Sequence, residues 1–219
     1  MTAPGTRRTT FRGRIAGVGS ASGVRVVVGW WHDSPLGSFA DAMVALPSGH
    51  RVLVAPDLDV ARFVAGTYSF DEIRIEPITV DGPAPGEVGS WQVRSPSLTL
   101  DLETGRRAPL GWLLRAVPRR LAESPAWCSV TDPVARVVLQ GVRTRGDTGD
   151  RREWYAATDH HRVVTMTGSY DGQPLGALRA VEPPPAFGFS STPPRPSVTA
   201  VATTVELAAD VPLVGPAAP

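Results

Sequence analysis

Apolar and polar residues alternate with a period of two along most of this chain, the spacing of strands that bury one face. Phe11 to Val18 and Val24 to Trp31 alternate on either side of a Gly19–Gly23 turn. Phe39 to Leu46 and Arg51 to Val54 do so around Pro47-Ser48-Gly49-His50. Phe70 to Val80 places Ile73, Ile75, Ile78 and Val80 in alternation, with Pro77 implying an edge or a bulge. Trp91 to Val93 and Ser97 to Leu102 follow. The second half predicts strands over Val134 to Thr144, Arg152 to Thr158, Val163 to Tyr170, Ala177 to Val181 and Val198 to Leu207, with Asp171-Gly172 among the turns. Two segments read as helical: one opened by Pro56-Asp57 and closed by Gly66, and Pro109 to Glu123, which Pro118 must break or kink.

The pattern predicts a mainly β, β-rich α+β fold of about ten strands and two short helices, arranged as a barrel or a two-sheet antiparallel sandwich. Glycine and proline supply 22 residues each of 219, which suits short elements and many turns. A single domain over residues 1–207 with a loose tail over 208–219 is the expected organisation. No stretch approaches the roughly 18 apolar residues of a membrane helix. The first 23 residues hold four arginines and no apolar core of a secretory signal, and Cys128 is the sole cysteine. Both features predict a cytoplasmic protein, with Cys128 as a small buried side chain.

Net charge is +1, so nothing in the overall balance draws the chain to nucleic acid or a membrane. The basic N-terminal stretch, five arginines and no acid through Trp31, is the single feature pointing toward a phosphate backbone, and it lacks a basic motif fold around it. All 22 basic residues are arginine, and there is no lysine or asparagine, as codon bias in a G+C-rich bacterial genome produces. One chemical consequence holds whatever the cause: lysine Schiff-base and lysine general-base catalysis are excluded.

The densest polar stretch combines Arg143, Arg145, Arg152, Glu153, Tyr155, Asp159 and His160. On a hairpin, alternate residues share a face, so Arg143 would join Arg145, Arg152 would join Trp154, and Glu153 would join Tyr155. Two arginines on one face can clamp a carboxylate or phosphate, and Glu153 or Asp159 could orient His160 for acid/base work. The competing reading is a solvated hairpin whose arginines pair with Asp147, Asp150 and Glu153. His160-His161 point to opposite faces of a strand and make a poor metal pair, so neither metal nor cofactor is expected. A second cluster is Trp30-Trp31-His32-Asp33 leading to Phe39-Ala40-Asp41, where His32 and Asp41 stand beside aromatic residues that could line a pocket. Gly17-Val18-Gly19-Ser20 precedes a strand-like run rather than a helix, which removes the dinucleotide-loop reading.

Leu36-Gly37-Ser38-Phe39-Ala40-Asp41, then Val52-Leu53-Val54-Ala55-Pro56, then a short helix ending Phe63-Val64-Ala65-Gly66-Thr67-Tyr68, resembles acetoacetate decarboxylase-like proteins in order and spacing. The resemblance covers the middle third of the chain and implies a barrel-like fold with a central cavity. It places the family's acidic position on Asp41 and its lysine-bearing strand on Ser69 to Ile75. No lysine stands there, so the family's imine chemistry does not carry over.

Three functions fit these residues. The preferred one is a β-barrel-like module binding a small carboxylate, anion or apolar acid. The alternative is a lysine-independent lyase or hydrolase using His160 with Asp159 or Glu153. The third is an interaction module built on the proline-rich segment 183–196. The sequence leaves ligand identity and oligomeric state open.

Overall fold

The computed structural model describes residues 5–124, 126–128, 145–147, 151–188, 192–209 and 211–214. β1 (Thr6–Ser20) and β2 (Arg25–Asp33) form a hairpin whose turn uses Gly23 at φ +83°, a conformation without steric cost only for glycine. β3 (Phe39–Ala45) and β4 (Arg51–Ala55) extend it antiparallel. α1 (Leu58–Ala65) then crosses back, so that β5 (Glu72–Ile75) runs parallel to β4. Asp57 starts α1 as its N-cap, accepting the Asp59 and Val60 N–H groups, and Gly66 ends it, as the sequence predicted.

β6 (Thr79–Asp81), β7 (Ser90–Arg94) and β8 (Leu98–Arg107) follow. The stretch expected as one strand over Phe70 to Val80 is therefore two, interrupted by Glu76-Pro77-Ile78, because proline removes a ladder donor. The second helical segment splits into α2 (Pro109–Ala116) and α3 (Arg119–Ala122) around Pro118. β9 (Arg145–Asp147), β10 (Arg151–Tyr170), β11 (Gln173–Pro174), β12 (Leu178–Arg179) and β13 (Ser197–Ala208) complete the chain. The strand expected over Val134 to Thr144 lies outside the described residues. β10 is one strand of 20 residues where two were expected.

All thirteen strands of the described residues belong to one sheet with the main order β5-β4-β3-β2-β1-β13-β10-β8-β7-β6. The last long strand thus sits in the middle, paired with β1 from Thr6–Ala208 to Gly17–Ser197. Trp91 on β7 meets Trp30 on β2 edge-on at 5.2 Å, although β1, β13, β10 and β8 lie between their strands in the ladder. The sheet must therefore curl. Its inner face wraps a core that includes Val28, Val44, Val54, Trp91, Leu98 and Leu100, all fully buried.

This corrects two expectations. The sheet is mixed and not closed into a barrel, and its strands form one hydrogen-bonded sheet where two were an alternative. Tryptophan and leucine side chains pack much of the space inside the curl. The mainly β class stands, at 51% strand and 13% helix. A second apolar cluster forms on the outer face, where Phe11, Phe39, Leu53, Val205 and Leu207 pack beneath Val60 and Val64 of α1. Val211 and Leu213 lie against this cluster too, where a loose tail was expected. Among the described residues, no helix is long and apolar enough to cross a membrane.

Candidate functional site

The outer face leaves a cleft between the sheet and α1. Phe11 and Ile15 of β1, Val27 and Trp31 of β2, Phe39 and Met43 of β3, and Phe63 and Val64 of α1 form its apolar wall. All the strand residues carry odd numbers, so the strand period delivers them to one side. The cleft holds about 540 Å³ of space, part of it open to solvent. Asp41, Thr67, Tyr68, Glu153, Tyr155 and Thr203 form its polar side.

Asp41 is 4% exposed, and its Oδ1 accepts a hydrogen bond from Trp31 Nε1 at 2.9 Å. Gly29 makes that bridge feasible, because a Cβ there would run into Asp41 Oδ1 and Trp31 Nε1. Burial pushes the Asp41 carboxyl up to about 7, against the smaller opposing effect of the Trp31 hydrogen bond. The proton on this group is therefore exchangeable near neutral pH.

Opposite it runs a chain of hydroxyls. Tyr155 OH donates to Glu153 Oε2 at 2.5 Å, and Tyr68 OH lies 2.9 Å from Tyr155 OH. Thr67 Oγ1 donates to Glu153 Oε1 at 2.7 Å. The network ties the turn after α1 to β10, holding the cleft's cover to its floor. Burial, with the Glu153 carboxylate beside it, raises the Tyr155 phenol well above its ordinary pKa. The Thr203 hydroxyl on the same side is buried with no hydrogen-bond partner among the described residues.

The structure divides the other sequence candidates. Glu153 and Tyr155 share a face and meet, as the hairpin periodicity implied. Asp159 does not join them. A bulge at Thr158 breaks the β10–β13 register between Ala157 and Asp159, turning Asp159 and His161 to the opposite face. There Arg107 grips Asp159 with two bonds, Nε to Oδ1 at 2.7 Å and Nη2 to Oδ2 at 3.0 Å. Burial would raise the Asp159 pKa, but the Arg107 fork and the His160 N–H together hold it below the usual carboxylate value.

The His160 ring turns to Thr199 Oγ1, 2.9 Å away, so the Asp159 carboxylate meets only its backbone N–H. It is His161 that approaches Asp159, at 3.4 Å. Desolvation, then the neighbouring His161, lowers the His160 pKa. His32 stands exposed near the end of β2, away from the cleft. Arg152 is exposed on β10. Arg145 is placed by its backbone opposite Trp154, and Arg143 lies outside the described residues. No arginine lines the cleft among the described residues.

The N-terminal arginines belong to a strand rather than a loose arm. Arg8 pairs with Glu206, and Arg12 bridges Asp33 and Glu123 at 3.0 and 3.1 Å. The proline-rich segment is also built into the fold: Phe187 is buried, its carbonyl accepts from the Ser69 N–H, and Val181 N–H donates to Pro194. Cys128 packs with Trp154, Ala156 and Ala202, and burial pushes its thiol up to about 11.

Sequence reasoning named Asp41, Glu153 and Tyr155 but missed Tyr68, Thr67 and Thr203. Tyr68 and Thr67 follow a helix stop and carry no local mark. Thr203 could have been found as a polar residue between Val201 and Val205 on one face of β13.

No protein-family model matches the chain, and no curated protein sequence matches it. Among solved structures, it is similar to the enduracididine biosynthesis enzyme MppR complexed with the condensation product of pyruvate and imidazole 4-carboxaldehyde. The two are 12% identical over 97% of this chain and 90% of that chain, with a TM-score of 0.30. The likeness is a remote one, to an enzyme of acetoacetate decarboxylase-like fold, and nothing about activity follows from it.

Proposed function

We propose that this protein binds a small, mostly apolar molecule in the cleft beneath α1, with the Asp41 carboxyl as its polar anchor. The observation that carries the reading is a buried carboxyl with a pKa of about 7 set in a wall of aromatic and aliphatic side chains. An apolar wall supplies affinity by excluding water, and one buried polar group fixes orientation. The cleft presents two carboxylates, Asp41 and Glu153, so a ligand that donates hydrogen bonds, an alcohol or an amine, suits it better than an anion. With no lysine in the chain, no lysine Schiff base enters the reading.

The near-neutral Asp41 also favours a second reading, in which this carboxyl exchanges a proton with the bound molecule. That reading requires turnover that follows the Asp41 titration.

The test is a thermal-shift screen of small alcohols, amines, amides and acids on the parent protein and on Asp41→Asn. At a tenfold excess over Kd, a ligand of the native state raises the midpoint by about 3–6 °C for a chain of this size. A compound that stabilises the parent and loses most of that effect in Asp41→Asn supports the anchor. A compound that shifts both equally overturns the anchor, and a screen without any shift overturns the binding function.

A further inference from the structure

The inner face of β1 adjoins a second cavity, of about 280 Å³ and partly open to solvent, lined by Arg14, Trp91, Thr104, Asp159 and His161 among others. Arg14 is 7% exposed and stacks against two tryptophans, 4.2 Å from the Trp30 ring centre and 4.9 Å from that of Trp91. Its Nη1 donates to the Pro83 carbonyl at 2.8 Å, and its Nε has no partner among the described residues. A guanidinium carries five N–H donors, and among the described residues they meet one oxygen. Among the described residues, no carboxylate lies within ion-pairing distance of it.

Burying a charge without a counter-charge is costly, and desolvation accordingly lowers the Arg14 pKa. The carboxylate in the same cavity cannot relieve it. Asp159 is already engaged by the Arg107 fork, with Arg115 at 3.7 Å and His161 at 3.4 Å. Arg14, Arg107 and Arg115 thus face two acids, Asp159 and the exposed Glu87, which leaves an excess of positive charge around the cavity. Arg25 is buried in a similar way but lines neither cavity. The loop over the cavity is held by these same arginines, through Arg14 to the Pro83 carbonyl and Arg107 to the Gly86 carbonyl.

We propose that this cavity binds a small carboxylate, its charge on the Arg14 guanidinium and its short apolar tail against Trp91, Val198 and Ala200. The pairing supplies the missing counter-ion, and the apolar floor selects a hydrocarbon tail over a hydrated inorganic anion. This site is separate from the Asp41 cleft, since Arg14 and Ile15 point to opposite sides of β1.

The experiment compares sodium butyrate and benzoate with their neutral amides, butyramide and benzamide, at constant ionic strength in sodium chloride. The parent's midpoint should rise by about 3–6 °C when a carboxylate is in tenfold excess over its Kd, while the amides leave it unmoved. Arg14→Gln should abolish the rise, and Asp41→Asn should keep it, which distinguishes this site from the cleft. If Arg14→Gln does not fold, the acid–amide comparison in the parent still decides. A parent indifferent to both acids, amides as effective as acids, or a rise retained in Arg14→Gln each overturns the proposal.

Discussion

Asp41 makes a prediction whose sign and size follow from its burial. Its carboxyl sits at about 7 in the folded protein against an ordinary 3.8. Between those values the native state holds a proton that the unfolded chain has released, so stability falls as pH rises through this window. Below about pH 4 both states are protonated and the native state is at its best; above about pH 7 both are charged and the loss is complete. The displacement corresponds to up to about 4 kcal/mol. Asp41→Asn keeps the acceptor for Trp31 Nε1 and removes the titration. Urea unfolding of both proteins from about pH 4 to about pH 8 isolates the effect, because the other acids cancel in the difference. The variant should match the parent at the acid end and exceed it by up to about 4 kcal/mol at the alkaline end. A difference that stays constant with pH would refute the reasoning, for Asp41 would then be solvated enough to titrate normally.

Other outcomes follow from single contacts. Arg107→Ala should cost about 3–5 kcal/mol in urea unfolding at neutral pH, because it leaves the buried Asp159 charge without its fork. That loss should shrink as pH falls through the lowered Asp159 pKa, since protonation removes the charge that needs a partner. Tyr155→Phe should cost about 1–3 kcal/mol, read by the same unfolding curves, by removing the hydroxyl between Tyr68 and Glu153. Cys128 should resist a thiol reagent in the folded protein at neutral pH and react fully in denaturant, because its thiol is buried and raised to about 11. Rapid labelling of the native protein would contradict that placement.

Much of the local structure was legible because strands and caps are written in neighbouring residues. Asp57 and Gly66 bound α1, Pro118 separates α2 from α3, and alternation places Phe11, Ile15, Val27 and Met43 on one face. The split of Phe70 to Val80 was half legible, since Pro77 was seen and the break it causes was not inferred. The polar cluster around β10 was read as one site and is in fact two. One extra residue at Thr158 reverses the face of the residues that follow, from Asp159 to Val163, and nothing in the alternation of a polar stretch marks a bulge. Glu153 and Tyr155 therefore reach the cleft, while Asp159 crosses to the Arg107 side.

By itself, then, the sequence determined the β-rich class, the helix boundaries, the absence of lysine chemistry and the pairing of Glu153 with Tyr155, all matters of composition or spacing within about ten residues. The tertiary structure alone decided that β13 lies between β1 and β10, that the sheet curls without closing, and which side chains pack inside the curl. It also decided that Asp41 is buried beside Trp31 and that Arg14 is buried against two tryptophans with no carboxylate beside it among the described residues. The physical reason is the same in each case. Pairing order and burial are set by contacts between residues far apart in the chain, and a side chain's charge acquires its chemistry only from what surrounds it once those contacts form.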